Sequence, residues 1–216
     1  MDIKNFLCDI LFPKICLNCQ SEGSYLCEDC QATLEISSIH QRFPINNLSD
    51  LYFALSYQNP LIKKLIEKLK YDPFIKELAK VLSSLIITHF QLLEKPPNFS
   101  KFILIPVPLD KKRLKWRGFN QAEEIGKELA KYFKIPLFSD CLIKIKKTFP
   151  QVELNEKERK ENLKGAFLVK DKNLIRNKKV LLIDDVYTTG STMKECAKVL
   201  KESGAKEIVG IVIARG

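Results

Sequence analysis

The chain has 216 residues, 45% of them hydrophobic, enough to bury a core as one large domain or as one domain with a small module. Lys and Arg outnumber Asp and Glu by 36 to 26, and the resulting net charge of +10 suits an anionic partner (nucleotide, nucleic acid or anionic lipid) or a solvated basic surface. No stretch approaches the ~20 apolar residues of a membrane-spanning helix, and a start carrying Asp2 and Lys4 without a long apolar run lacks the pattern of a signal peptide, so a cytoplasmic setting is expected.

Ile3 to Phe12 is a short amphipathic segment interrupted by Asp9. It suits a peripheral contact with a membrane surface, or packing on the module that follows. Cys16, Cys19, Cys27 and Cys30 then form C-x2-C-x7-C-x2-C. Each CxxC turn puts two thiolates on one side of a metal, and two turns complete a tetrahedral Zn²⁺ site. Disulfides lack an exported context, and a redox CxxC normally acts alone. With cysteine at all four positions no coordination site stays open, so the expected metal is structural rather than catalytic. Cys8, Cys141 and Cys196 read as small core residues, Cys8 being near enough in sequence to serve as a spare ligand. Ser37 to Asp50 is polar and irregular. The expected organisation is a helix and zinc knuckle over residues 1–36, a linker over 37–50 and a core domain over 51–216.

Within that domain Leu61, Ile62, Leu65, Ile66 and Leu69 recur at helical spacing up to Lys70. Phe74 to Leu93 is a second helical pattern, ended by Lys95-Pro96-Pro97. Phe102 to Val107 reads as a strand with Pro106 and Pro108 at its exit. From Asp110 to Gln121 a loop is expected, carrying Lys111, Lys112, Arg113, Lys115 and Arg117 around Trp116 and Phe119. Arg forks match phosphate oxygens, and Gly118 permits close backbone approach. The same run interleaves cations with aromatics, a pattern suited to single-stranded nucleic acid, so Lys111, Lys112, Arg113, Lys115 and Trp116 are candidate DNA contacts. A helix from Gln121 to Phe133 and a strand from Cys141 to Ile145 follow. Lys147 to Asn162, holding Lys147, Thr148, Gln151, Arg159 and Asn162, is polar and charged; it reads as a mobile loop or as an exposed charged helix over 155–164. Ala166 to Val169 is a further short strand.

Val180 to Ile183 reads as a buried parallel strand, a near-continuous apolar run. Asp184 and Asp185 sit at its carboxyl end, where open α/β sheets bind ligands. Val186 and Tyr187 lead into Thr188, Thr189, Gly190, Ser191 and Thr192, which open a helix running from Ser191 to Ser203. Backbone N–H groups at a helix start form an anion site, hydroxyls add donors, and the acidic pair can accept hydrogen bonds from ribose hydroxyls. A 5-phosphoribose is the natural guest. A Walker-B strand end would also read Ile-Asp-Asp, but no G-x-x-x-x-G-K-[ST] loop accompanies it. Lys206 to Ala214 closes the chain as a last strand. Strands alternating with helices imply a mostly parallel α/β sheet covered on both faces.

The Asp184 to Thr192 segment resembles the binding motif of type I phosphoribosyltransferases, which bind phosphoribosyl pyrophosphate (PRPP). Arg117-Gly118-Phe119 is similar to the pyrophosphate loop of the adenine-type enzymes, extending to Asn120. With the cysteine knuckle, Leu69-Lys70-Tyr71, Ile105-Pro106-Val107-Pro108-Leu109, Asn120-Gln121, Thr148 with Gln151, Arg159 with Asn162 and the terminal Ala214-Arg215, the whole chain resembles the ComF family of competence-associated proteins. One departure is Asp72-Pro73 where a glycine usually follows the Lys-Tyr pair. The resemblance implies a phosphoribosyltransferase-like fold and a flexible loop at 147–162 that closes over the site. It also implies PRPP bound with Mg²⁺, a role in handling single-stranded DNA during natural transformation, and a helicase-like competence partner. Whether a base is ever the acceptor stays open on the residues, a nucleobase salvage enzyme being the alternative.

Overall fold

The computed structural model describes residues 13–146 and 163–216. Its centre is a parallel sheet in the order β1 (Asp50–Ser56), β7 (Glu207–Arg215), β5 (Lys179–Ile183) and β2 (Phe102–Pro106), with the two-residue β6 (Val186–Tyr187) added to the end of β7. A separate antiparallel pair joins β3 (Leu142–Lys144) to β4 (Phe167–Val169). Among the described residues no helix is long and apolar enough to cross a membrane.

The alternation of side chains along the strands divides the interior in two. Leu104, Leu181, Ile183, Val209, Ile211 and Ile213 face one core with α2 (Pro60–Lys70), α3 (Leu78–Leu92) and α5 (Gln121–Phe133). Ile103, Ile105, Val180, Leu182, Ile208 and Val212 face the other, with the β3–β4 pair and α6 (Ser191–Glu202). Both faces are covered, which is why β5 and β7 read as almost unbroken apolar runs.

Cys16, Leu26, Cys30 and Leu34 of the knuckle belong to the first of these cores, beside Ile62 and Leu65. Lys64 Nζ donates to the Leu17 carbonyl at 2.5 Å. The 37–50 segment is stitched to the sheet: Ser37 N–H donates to the Ala54 carbonyl at 3.0 Å, and His40 Nε2 lies 2.9 Å from Asp50 Oδ2.

Three expectations change. Residues 110–121 are not one loop. Lys111–Arg117 is a helix, α4, with Asp110 Oδ1 accepting from Arg113 N–H at 3.0 Å and Gly118 ending it at φ 81°. A capping Asp followed by a helix-ending Gly is a legible signal that the density of cations obscured. The second helical pattern begins at Leu78 rather than Phe74, because Phe74 takes a left-handed φ of 55° that no helix accepts. Asp50–Ser56 forms β1, a strand that its mixed apolar pattern did not announce.

Candidate phosphoribosyl site and cysteine knuckle

The carboxyl ends of β2 and β5 lie side by side, with Pro106 in register with Ile183. Asp184 and Asp185 follow β5 directly, and the backbone holds them firmly. Asp184 N–H donates to the Ile211 carbonyl at 3.1 Å, and the Asp185 carbonyl accepts from Ile213 N–H at 3.0 Å. Asp185 N–H donates to Asp184 Oδ1 at 2.9 Å.

Asp185 is 2% exposed, and its Oδ1 lies 2.9 Å from Lys70 Nζ, which arrives from the last turn of α2. Burial opposes the Lys70 charge, but the Asp185 and Asp184 carboxylates outweigh it and hold the ammonium above its ordinary pKa. Asp185 Oδ2 is buried without a partner. A buried carboxylate oxygen left unmatched is costly and points to a ligand group. Asp184 is partly exposed. Burial, then the charge of Asp185, pushes its carboxyl up to about 8, with Lys70 pulling the other way. Loss of solvent and the neighbouring carboxylate both favour the neutral form of Asp184.

The phosphate-type loop follows. Thr189 Oγ1 lies 2.9 Å from Ser191 Oγ, and Lys194 Nζ donates to the Thr189 carbonyl at 2.9 Å. Gly190 caps α6 without any side-chain acceptor, whereas Asn59 and Asn120 cap α2 and α5 through their amide oxygens. Thr189 Oγ1 accepts from Ser191 N–H only at a long 3.4 Å, so the positive end of α6 is weakly capped. Gly190 has φ 70°, and a Cβ there would meet Tyr187 Cζ at 2.1 Å. Tyr187 thus fills the space under the loop, while Val186 and Tyr187 pair with Ala214 and Arg215. Thr188 is exposed at the tip of the turn and Thr192 lies in the first turn of α6.

Arg117 is buried at the end of α4, near enough to Asp185 to feel its charge. Its Nη1 donates to Gln121 Oε1, and its Nε has no partner. Burial draws the guanidinium pKa below its usual range, against the pull of Asp185. Gly118 is exposed. Phe119 packs into the first core, and Asn120 donates from Nδ2 to the Val107 carbonyl at 3.0 Å while its Oδ1 caps α5 at Ala122 N–H. Gly118 is therefore the exposed member of that segment and Arg117 a buried one with an unmatched Nε, while Phe119 and Asn120 hold it in place. Lys111, Lys112, Lys115 and Trp116 are exposed on α4 and Arg113 is partly so. Lys147, Thr148, Gln151, Arg159 and Asn162 lie outside the described residues.

Lys70, Gln121 and Lys194 had no role assigned from the sequence. Lys70 and Gln121 stood inside quoted motifs, but their partners are set by the tertiary fold. Lys194 lies one helical turn after Gly190, the only local signal available.

In the knuckle the four sulfurs of Cys16, Cys19, Cys27 and Cys30 all lie within 4.8 Å of one another. A tetrahedral Zn²⁺ site with Zn–S near 2.3 Å needs edges of ~3.8 Å. Cys27 and Cys30 bracket the start of α1 (Glu28–Ala32), Cys27 Sγ accepting from Cys30 N–H at 3.5 Å, and Asn18 Nδ2 donates to Cys30 Sγ at 3.2 Å. Burial pushes the Cys16 thiol up, but N–H donors led by Cys27 bring it down to about 6. Asn18 favours the Cys30 thiolate, yet burial and the neighbouring sulfurs push it up to about 12. Four sulfurs at this spacing form a donor set that fits a metal ion.

The phosphoribosyl transferase domain family matches residues 120–216. Competence protein ComFC of Streptococcus pneumoniae is 31% identical over 216 residues, an alignment spanning 96% of this chain and 86% of that protein. The chain belongs to the ComF family. Competence protein F of Haemophilus influenzae is 42% identical over 106 residues, covering 49% of this chain and 46% of that one. DNA utilization protein YhgH of Escherichia coli K12 is 30% identical over 158 residues, covering 69% and 65%. The chain thus spans about half of the Haemophilus relative and about two thirds of the E. coli one. Among solved structures, adenine phosphoribosyl transferase from Trypanosoma brucei has a TM-score of 0.39 and 15% identity over 84% of this chain and 86% of that one, too distant to bear on the site. Within this ComF protein the phosphoribosyl transferase match begins at Asn120, so Lys70, Arg117 and Gly118 are contributed from before it.

Proposed function

We propose that this protein is a competence factor that binds PRPP, or a related phosphoribosyl ligand, and handles single-stranded DNA during DNA uptake. The observation that carries the ligand is Asp185 Oδ2, buried and unpartnered at the strand end that leads into the weakly capped start of α6. In this reading Asp184 and Asp185 hold the ribose hydroxyls and Thr188 to Thr192 the 5-phosphate. Arg117 and Gly118 serve pyrophosphate, whose Mg²⁺ takes oxygen donors of the kind Asp185 Oδ2 supplies. The cysteine knuckle holds structural Zn²⁺. The DNA part rests on the competence and DNA-utilization names of the relatives and on the cations of α4. A cytoplasmic setting, in which paired CxxC turns hold metal rather than form disulfides, is part of the proposal. Residues 3–12, the candidate membrane-contacting segment, lie outside the described residues, and a helicase-like partner remains part of the proposal.

Calorimetric titration of Mg·PRPP tests the ligand. The D184N/D185N protein should bind at least about tenfold more weakly, the loss of one good charged contact. Equal affinity would remove the site assignment. Turnover of PRPP with a free nucleobase, without any DNA binding, would replace the proposal by a salvage phosphoribosyltransferase.

A further inference from the structure

Two cations of the site each have an exposed aromatic as their chain neighbour. Lys70 is followed by Tyr71, 47% exposed, and Arg117 is preceded by Trp116, 60% exposed. They come from different elements, the end of α2 and the end of α4. The turn after α2 brings these elements together. Phe74 N–H donates to the Tyr71 carbonyl at 2.7 Å, and Ile75 N–H to the Lys68 carbonyl at 2.9 Å. Phe74 takes φ 55°, a conformation bulky side chains rarely adopt. In it the Phe74 ring meets the Trp116 indole edge-on, with centroids 4.6 Å apart and planes at 86°. The indole is therefore fixed by a neighbour while most of its surface stays open to solvent.

On its α4 side this ledge is cationic, whereas Asp72, exposed between Tyr71 and Phe74, is an acidic neighbour. Lys111, Lys112 and Lys115 are exposed on the same short helix, and between Lys111 and Phe119 the sequence has no carboxylate. Asp110 is engaged as the helix cap and lies 3.5 Å from Arg113 Nε. Cations alone would suit any anionic partner. Exposed flat rings set among cations suit a strand that offers phosphates and unpaired base faces together, which a duplex does not.

We infer that Tyr71, Phe74 and Trp116 form a base-stacking ledge for single-stranded DNA at the rim of the acidic pair. The inference rests on the DNA-handling reading above and gives it a location. The strand's phosphates lie along Lys111, Lys112 and Lys115, and its bases stack on Trp116 and Tyr71.

Trp116 is the single tryptophan of the chain, so intrinsic fluorescence reports on the ledge directly. Full-length protein would be titrated with an oligothymidylate, an abasic oligonucleotide of equal length and a duplex, with affinity followed separately by anisotropy of an end label. The expected result is quenching of Trp116 by the oligothymidylate alone, with at least several-fold weaker binding of the abasic strand and the duplex. Trp116→Ala and Tyr71→Ala should each weaken oligothymidylate binding by about tenfold or more, with the salt slope unchanged, because stacking adds affinity without releasing counterions. Salt-dependent binding that leaves Trp116 emission unmoved, or moves it equally with the abasic strand, overturns the ledge and leaves DNA handling standing. Absence of binding in anisotropy at low salt overturns both. Circular dichroism of the variants confirms that a loss of affinity is not a loss of fold.

Discussion

Lys70 Nζ and Asp185 Oδ1 are 2.9 Å apart, joining the end of a helix that precedes the phosphoribosyl transferase match to the acidic pair inside it. Removing one partner of a buried pair leaves an uncompensated charge. Lys70→Met should therefore destabilise the protein by about 3 kcal/mol, whereas adding Asp185→Asn should recover much of the loss. Urea unfolding of the two single variants and the double variant tests this. Strict additivity would show that the two groups do not act as a pair.

The raised pKa of Asp184 has a definite sign. Its folded value is about 8 against an ordinary 3.8, so between those values the folded protein holds a proton that the unfolded chain has released. Stability then falls as pH rises through that window. Asp184→Asn should flatten the pH dependence and raise the melting temperature at pH 8. The effect is on the order of 2 kcal/mol after discounting for partial exposure, or roughly 5 °C for a chain of this size. A variant that melts with the wild-type pH profile would contradict the assignment.

Metal removal should be felt beyond the knuckle. Cys16, Leu26, Cys30 and Leu34 share a core with Ile62 and Leu65, so loosening the four thiols exposes part of the apolar surface under α2. Chelation, or Cys16→Ser with Cys19→Ser, should release one Zn²⁺ per chain by elemental analysis. It should also lower the melting temperature of the whole protein rather than of a separate small transition. Two resolved transitions would mean that the module folds on its own.

Gly190→Ala combines left-handed strain with a collision against Tyr187. The loop must move, and PRPP affinity should fall by at least about tenfold. The collision is with Tyr187 of the second core, at the turn that opens α6, and circular dichroism should show the fold retained. Tyr187→Ala in the same background should restore part of the affinity by opening room for the methyl group. Failure of that rescue would place the fault elsewhere.

The most cationic segment is a second test of the nucleic-acid face. Lys112→Ala and Lys115→Ala should each lower the slope of log affinity against log salt by close to one for single-stranded DNA. An unchanged slope would take α4 out of the interface.

Much of this site could be read from contiguous residues. The paired CxxC turns, the apolar strand ending in Asp184-Asp185 and the Thr-Gly-Ser turn each carry their chemistry within a few positions, because metal chelation, strand burial and helix-start anion binding are local devices. The parallel α/β architecture followed from the same local periodicities. Residues 110–117 were harder: five cations suggested a loop, although Asp110 and Gly118 were already marking the ends of α4.

Sequence by itself determined which groups are present and which short segments present them: four thiolates in two turns, two carboxyls at a strand end, an open helix start. The tertiary structure alone decided which distant groups meet. It paired Lys70 with Asp185, set Phe74 against Trp116, turned Phe119 and Asn120 inward while leaving Gly118 open, and merged the knuckle with the main core. The reason is physical. Local patterns reflect backbone geometry repeated every few residues, whereas ion pairs, ring contacts and shifted pKa values depend on burial and on neighbours that only packing brings within a few ångströms.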